Sequence, residues 1–241
     1  MTGDNAAGAE LRAQGRFLRD AQGRVVFLRG INIAGNSKVP SFAGITDVSQ
    51  LDPLPGWGFN AVRLVFSWEA FEPIKGWYNP WYLTYITRLA DAAWARGLYV
   101  IIDFHNDGYS RYLSAGCGAG FPLWAVSGRA VPDAPDNGPN CRFWLNRLFT
   151  DPDTYISFRD FFSDREGVRT RFLLAWRELA LHFANRPGVI GYDVFTEPPA
   201  DETWEIAPLY EDAAHVIRQV DPEAIVFIEP RFSVAGGTTQ T

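Results

Sequence analysis

Two short stretches of the sequence place titratable side chains directly after apolar runs. In VIGYDVFTEPPA, the run ends at Thr196 and Glu197, so a carboxylate stands where a buried strand would meet a loop. In LYVIIDFHND, Asp103, His105 and Asp107 alternate at the end of another run, and residues two apart along a strand point the same way. A carboxylate that is partly desolvated has a raised pKa and can protonate a leaving oxygen near neutral pH. The pattern therefore indicates general acid catalysis.

The rule of alternation also applies to the first stretch. Asp193, Phe195 and Glu197 are spaced two apart, so we expect them to share one face of their strand. If this face and that of the second stretch both point inward, their carboxylates and the imidazole converge above one end of the sheet. The alternative for Glu197 is a helix-capping or salt-bridged carboxylate in a loop.

Apolar strands alternate with amphipathic helices along the chain. After a hairpin turn at Asp20–Gly23, strands are predicted to end near Asn32 and to span Phe59–Trp68, Leu98–Asp107, Val189–Phe195 and Ala224–Pro230. Helices are predicted around Asp47–Gly56 and over Trp81–Gly97, 169–185 and 208–222, with an irregular region at 108–153. This alternation predicts an α/β protein with a parallel sheet covered by helices, either a closed (β/α)8 barrel or an open doubly wound sheet.

The position of the polar residues favours the barrel. They cluster where successive strands end, as in the active site of a barrel: Asn32, Arg63, Asp103, His105, Asp107, Glu197 and Glu229. No Gly-x-Gly-x-x-Gly motif follows the first strand, so dinucleotide binding has no support. We predict a (β/α)8 TIM barrel that is incomplete in this chain, with about five of eight strands. Residues 1–14 are predicted to be a disordered tail, and residues 15–241 the N-terminal portion of a single TIM-barrel catalytic domain.

Composition excludes several classes of partner. The 241 residues carry a net charge of −6, which argues against nucleic-acid or anionic-membrane surfaces because both need a positive field. No apolar segment is long enough for a membrane span, and the first residues do not resemble a secretion signal. The heavy aromatic content of 9 Trp, 9 Tyr and 18 Phe suits a sugar-binding cleft as well as a core.

The two cysteines flank a loop rich in Gly, Pro and Asn. Cys117 and Cys141 could form a disulfide across this loop in an oxidising compartment. Neither a Cys-x-x-Cys motif nor a His pair is present, so the sequence predicts no metal site.

Longer blocks of the sequence are similar to a known family. GYDVFTEPPA resembles the end of the fourth barrel strand in family 5 glycoside hydrolases, which are cellulase-like retaining enzymes. VVFLRGINIAGNSK, the stretch from GFNAVRLVFSW to DFHND, and GAGFPLWA resemble blocks of endoglycoceramidases and their relatives, from about Arg16 to Glu229. The resemblance implies cleavage of a β-glycosidic bond in a carbohydrate or glycolipid, no metal, no cofactor, and export from the cytoplasm. Oligomeric state is not implied.

The resemblance also implies roles for individual residues. Glu197 matches the general acid/base, and Arg63 matches an arginine that orients a catalytic carboxylate. His105 and Asp107 match residues that hold the sugar in the innermost subsite, and Lys38 matches a lysine that contacts the substrate. The alternatives are a structural ion pair for Arg63, a core histidine for His105 and a solvated loop lysine for Lys38. Trp68 and Trp124 suit either sugar stacking or core packing.

Two departures from the family pattern bear on activity. Thr196 stands where the family has an asparagine that donates a hydrogen bond to the sugar 2-hydroxyl. Such bonds strengthen in the transition state, so we expect altered or weakened catalysis. A retaining glycosidase also needs a nucleophilic carboxylate about 5–5.5 Å from the acid/base, and the family carries it on the seventh strand. Since we predict five strands here, that nucleophile is not in this chain.

The sequence thus leaves two functions open. One is a retaining, endoglycoceramidase-like glycosidase whose nucleophile lies outside these residues, so that this chain alone is inactive. The other is a truncated or degenerate barrel that binds carbohydrate without catalysis. Glu229 is a local substitute for the nucleophile, although a structural or subsite role suits it better because its strand neighbours that of Glu197.

Overall fold

The computed structural model describes residues 11–113, 116–131, 141 and 150–232. A small antiparallel pair, β1 (Arg12–Gln14) and β2 (Phe17–Arg19), precedes the main sheet. The main sheet has five parallel strands that follow one another in chain order: β3 (Gly30–Ile33), β4 (Ala61–Phe66), β5 (Tyr99–Phe104), β6 (Val189–Asp193) and β7 (Ile225–Phe227). The predicted architecture, a partial barrel of five parallel strands, is confirmed.

Helices connect the strands of the main sheet. They are α1 (Trp68–Phe71), α2 (Pro80–Trp94), α3 (Pro152–Phe162), α4 (Val168–Phe183) and α5 (Ala207–Arg218). The start of α2 shows the local signal clearly: the Asn79 side chain accepts hydrogen bonds from the backbone N–H groups of Trp81 and Tyr82, and Pro80 occupies the first turn. Proline suits this position because its missing N–H would have no helical partner there.

The strands divide their side chains between two faces. On β4, the outward side chains of Val62, Leu64 and Phe66 are at most 1% exposed and join the hydrophobic core under the helices. Arg63 lies between them in the sequence and therefore points to the inner face. The same alternation on β5 buries Ile102 among the helices and turns Asp103 inward.

Many of the aromatic side chains fill the layer between the sheet and its helices. Buried rings from the loop after β5, from α3, from α4 and from the end of β6 contact one another: Phe121, Phe158, Phe161, Phe172 and Phe195. Trp68 is 2% exposed and lies among these rings, so it is a core residue. Trp124 packs edge-on against Trp68 and donates its indole N–H to the Glu72 carbonyl.

Several local expectations differ from the structure. Residues 12–14 form β1 and Leu11 is buried, so they belong to the folded unit and not to the disordered tail that we predicted for residues 1–14. Residues 1–10 lie outside the described residues. The predicted helix around Asp47–Gly56 is two 3₁₀ turns, Val48–Leu51 and Pro55–Trp57, because prolines at 53 and 55 interrupt the backbone ladder. Within the predicted irregular region at 108–153, the described residues include a 3₁₀ turn at Leu123–Ala125 and the first two residues of α3.

The predicted turn at Asp20–Gly23 is present, with the Gly23 N–H donating to the Asp20 carbonyl at 2.8 Å. The disulfide between Cys117 and Cys141 is formed, with their Cα atoms 5.4 Å apart. No helix in the described part of the chain is both long and apolar enough to span a membrane.

Candidate active site

Arg63 holds three carboxylates together at the carboxyl end of the sheet. Its Nη1, Nε and Nη2 atoms lie 3.0 Å from Asp103, 2.7 Å from Asp193 and 2.7 Å from Glu229, respectively. The three acidic residues come from β5, from β6 and from just after β7, so one guanidinium connects four strands. Burial alone would lower the pKa of Arg63, but the three negative charges outweigh burial and raise it. The role predicted for Arg63, which is to orient a catalytic carboxylate, stays a prediction.

A row of alternating charges continues from this cluster towards the solvent. Asp103 Oδ2 lies 2.9 Å from Nδ1 of His105, and His105 Nε2 lies 3.4 Å from Asp107 Oδ2. Asp107 in turn pairs with the ammonium group of Lys38, which ends a 3₁₀ turn after β3 (Gly35–Lys38). The structure therefore joins Lys38, His105 and Asp107, which were each predicted to contact the substrate, into one chain of contacts.

The protonation states along this row follow from its contacts. Burial would lower the pKa of His105, but the hydrogen bonds and charges of Asp103 and Asp107 outweigh burial and raise it to about 9. Burial would raise the pKa of Asp107, yet His105 and Lys38 lower it to about 2. At neutral pH His105 is therefore an imidazolium and Asp107 a carboxylate.

Asp193 differs from the other carboxylates of the cluster. Burial and the negative charge of Asp103 raise the pKa of Asp193 well above its usual range, although Arg63 opposes this effect. One of its oxygens contacts Arg63, while the other is buried without a hydrogen-bond partner in the described residues. Asp193 is thus able to hold a proton near neutral pH inside the cluster.

Thr196 faces the buried cluster. Its hydroxyl group donates to Asp103 Oδ1 at 2.9 Å and accepts from Arg63 Nη2 at 3.1 Å, and the residue is 5% exposed. A hydroxyl has a single hydrogen to donate, so a sugar contact through that hydrogen would require the bond to Asp103 to break. The substrate-binding role of Thr196 stays a prediction.

Glu197 lies at the solvent-facing end of the cluster. Its side chain is exposed and its carboxylate accepts no hydrogen bond from the described residues. Partial burial raises the pKa of Glu197 most, and the negative charges of Glu229 and Asp107 raise it further. The positive charges of His105 and Lys38 oppose this shift. Glu197 is therefore close enough to the charge row to interact with it, and its raised pKa suits a general acid.

The backbone of Glu197 has an uncommon conformation. Its φ angle is +45°, in the left-handed region that costs a residue other than glycine about 1–3 kcal/mol. The Glu197 N–H group donates to Glu229 Oε2 at 2.8 Å. Strain of this kind persists where neighbouring contacts hold the residue in place, and Glu229 supplies such a contact.

One expected placement is wrong. Asp193 and Phe195 do not share a face: Asp193 contacts Arg63, whereas Phe195 is completely buried among the rings of α3 and α4. The reason is that β6 ends at Asp193, so strand alternation does not extend to Phe195 or Glu197. Glu197 reaches the site through the loop conformation.

Sequence reasoning missed the partners of Arg63. Asp103 was recognised only as the polar end of a strand, Asp193 only as part of an inward face, and Glu229 as a structural or subsite carboxylate, yet all three bind Arg63. Asn106 was missed, and its side-chain amide donates to the Thr196 carbonyl at 2.9 Å. The position of Asn106 between His105 and Asp107 was a usable signal, since a buried amide next to a charge row needs polar partners.

Within the described residues, no group of His, Cys, Asp and Glu side chains has the arrangement of a metal site. A helix-covered parallel sheet that gathers titratable side chains where its strands end is the arrangement of TIM-barrel enzymes.

Comparison with known proteins identifies the family within this class. The model of the cellulase family, glycosyl hydrolase family 5, matches residues 20–235. The chain is 34% identical over 189 residues to endoglycoceramidase I of Rhodococcus hoagii, covering 78% of this chain and 37% of that protein. The chain belongs to glycosyl hydrolase family 5.

Solved structures agree with this assignment. The crystal structure of endogalactoceramidase superposes with a TM-score of 0.77 at 26% identity, over 92% of this chain and 53% of that one. Endo-glycoceramidase II from a Rhodococcus species, in its complex with ganglioside GM3, superposes with a TM-score of 0.74 at 29% identity, over 89% of this chain and 51% of that one. The chain therefore spans about half the length of these solved relatives, and less of the Rhodococcus hoagii protein.

Proposed function

We propose that this chain is the N-terminal part of a retaining glycoside hydrolase that cleaves the β-glycosidic bond of a glycolipid, with Glu197 as its general acid/base. The observation that carries the proposal is the position of Glu197 beside the charge row at the carboxyl end of the sheet, with a raised pKa. The endoglycoceramidases and the GM3 complex among its relatives support a glycolipid as the substrate class.

The mechanism assigns Glu197 two proton transfers. In the first step, its protonated carboxyl group donates a proton to the glycosidic oxygen as the bond to the aglycone breaks. In the second step, the resulting carboxylate removes a proton from the water that attacks the glycosyl-enzyme intermediate. The raised pKa favours the protonated form that the first step requires.

The charge row supports binding of the sugar. Lys38 is partly exposed beside Asp107, so an ammonium and a carboxylate together offer a donor and an acceptor to sugar hydroxyl groups. His105 is held as an imidazolium between two carboxylates and keeps Asp107 in place. We infer that Lys38, His105 and Asp107 form the innermost sugar subsite, and that Arg63 holds the acidic side chains around it in place.

The nucleophile is proposed to lie outside these 241 residues. Glu229 is an unsuitable nucleophile because one of its oxygens binds Arg63 and the other binds the Glu197 N–H group. We therefore expect the chain alone not to hydrolyse glycosides. The disulfide supports our proposal that the protein works in an oxidising, extracytoplasmic compartment.

The test compares the 241-residue chain with the longest product of its gene that contains it. Each protein, with its Glu197→Gln variant, is assayed on a fluorescent glucosylceramide in detergent micelles and on an aryl β-glucoside. We expect the longer protein to release ceramide and Glu197→Gln to reduce the rate at least ~100-fold, since general acid catalysis contributes about 10²–10⁴-fold. Glu211→Gln, an exposed carboxylate on α5, is the matched control. Equal rates for Glu197→Gln and the unmodified protein would refute the acid/base role.

A second candidate is a barrel that binds carbohydrate without catalysis. The commitment of the Thr196 hydroxyl to Asp103 and Arg63 favours it, because the hydroxyl is then not free to stabilise a transition state. Calorimetric titration with lactose separates the two functions: binding without hydrolysis by the longest gene product would support this candidate.

A further inference from the structure

Glu229 links the central arginine to the backbone of Glu197. Its Oε1 atom accepts from Arg63 Nη2 at 2.7 Å, and its Oε2 atom accepts from the Glu197 N–H group at 2.8 Å. Both oxygens therefore have a charged or polar donor, and the carboxylate spans the distance from the inner face of the sheet to the loop after β6.

The backbone of Glu229 is itself fixed by α5. The Tyr210 hydroxyl donates to the Glu229 carbonyl at 2.8 Å and accepts from the Glu229 N–H group at 3.1 Å. Tyr210 is 8% exposed, so this anchor is part of the packed core. A carboxylate whose own backbone is fixed in this way can hold the loop residue that it binds.

We propose that Glu229 is a positioning residue for Glu197, which holds the left-handed backbone of the acid/base so that its carboxyl group faces the charge row. The inference rests on the proposed function of Glu197. It gives Glu229 a role different from nucleophile and from simple ion pair, because an ion pair with Arg63 alone would use one oxygen and leave the loop unbound.

The same carboxylate places a negative charge beside Glu197. The titratable and charged groups that surround the Glu197 carboxyl are Glu229 from just after β7, His105 and Asp107 from just after β5, and Lys38 from the 3₁₀ turn after β3. Of these, Glu229 and Asp107 favour the protonated acid, whereas His105 and Lys38 favour the carboxylate. Loss of the Glu229 charge should therefore lower the pKa of Glu197, and Arg63, released from one partner, would act in the same direction.

The test is a carboxyl NMR titration of the full 241-residue chain labelled with [13Cδ]glutamate, with the Glu197 signal assigned through Glu197→Gln. We expect both Glu229→Gln and Glu229→Ala to move the Glu197 titration midpoint to lower pH. The Glu197 amide proton should also shift upfield in Glu229→Ala, because its hydrogen bond to a carboxylate is lost. Glutamine offers one acceptor oxygen for two donors, so Glu229→Gln must break one of the two contacts.

The matched control is Glu211→Gln, which removes the same charge from an exposed position of α5 and should leave the Glu197 midpoint unchanged. An unchanged midpoint in the Glu229 variants, or an equal shift in the control, would overturn the proposal. If the Glu229 variants do not fold, the unmodified chain provides the test. The chemical shift of the Glu197 amide proton should then change with pH at the same midpoint as that of the Glu229 carboxyl carbon. An amide proton whose shift does not change at that midpoint would count against the hydrogen bond between the two residues. The titration needs no turnover, so an inactive protein would count against the proposed function alone.

Discussion

The contacts of the individual Arg63 nitrogen atoms explain how the site holds three acidic side chains close together. Negative charges on Asp103, Asp193 and Glu229 would repel one another at the end of the sheet if no cation lay among them. The planar guanidinium has five N–H donors in a fixed fork, and three different nitrogen atoms meet three different residues. A lysine has one charge centre and cannot match this arrangement.

The Arg63→Lys variant should therefore lower the free energy of unfolding. Removing one partner of a buried pair costs roughly 3–5 kcal/mol, and lysine retains part of the attraction, so we expect a loss of about 2 kcal/mol. Urea unfolding followed by tryptophan fluorescence measures the change. The matched control is Arg177→Lys, which alters an arginine in an exposed pair with Glu178 and should stay within about 0.5 kcal/mol. Equal stability of Arg63→Lys and the unmodified protein would show that the fork-shaped set of guanidinium donors does not contribute to stability.

At the scale of elements, the carboxyl end of β5 supplies most of the charge row. Asp103, His105 and Asp107 are close in the sequence, and their spacing predicted that they share one face; in the structure their side chains contact one another. The same reasoning failed for Phe195, because β6 stops two residues earlier and a loop follows. Spacing predicts faces only where the backbone stays extended, and nothing in the TEP stretch indicated the left-handed conformation of Glu197.

The sequence also could not predict which polar side chains pair with one another when they are far apart along the chain. The polar ends of strands predicted which side chains gather at one edge of the sheet. Their pairing through Arg63, and the approach of Glu229 to the Glu197 backbone, depend on the three-dimensional register of four strands.

The β5 charge row makes stability depend on pH. The pKa of His105 is raised in the folded state to about 9 from an ordinary 6.5, so its contribution is fully present below about pH 6.5 and is lost as pH rises through about 9. Asp107, lowered to about 2 from 3.8, contributes above about pH 4 and loses its contribution as pH falls through about 2. Of these two groups, His105 is therefore the one whose deprotonation lowers the free energy of unfolding at alkaline pH.

We expect the free energy of unfolding to fall by roughly 3 kcal/mol through the His105 contribution as pH rises from 6 to 10. Urea unfolding at several pH values measures this, and His105→Gln should remove that part of the slope. His215→Gln, on the exposed face of α5, is the control and should keep the slope. A slope that survives in His105→Gln would assign the pH dependence to other groups.

At the scale of the whole molecule, five strands in chain order leave β3 and β7 at the two edges of the sheet. The fold was predictable because alternation of strands and helices is a strong signal, and the family match covers residues 20–235. The relatives are about twice as long or longer, so the complete site is proposed to include residues beyond this chain. The disulfide stabilises the loop after β5 within the same unit.

Reduction of Cys117–Cys141 should destabilise this unit. The bond joins residues 24 positions apart, and a closed loop of that size restricts the unfolded chain by about 3 kcal/mol. Thermal unfolding of the oxidised protein, the reduced protein and the Cys117→Ser/Cys141→Ser variant measures the effect. We expect the last two to melt together and below the first. Identical melting of all three would show that the bond does not stabilise the fold.

The most direct measurement of the central claim is chemical rescue of Glu197→Ala in the longest gene product, on an aryl β-glucoside whose leaving group needs no proton. Without the base, the glycosyl-enzyme intermediate should accumulate, and azide should restore turnover by attacking the face that the shortened side chain opens. We expect the product to be a β-glucosyl azide, identified by the anomeric coupling in its NMR spectrum, and the rate to rise with azide concentration. An α-azide, or a variant that turns over at the unmodified rate and does not respond to azide, would contradict it.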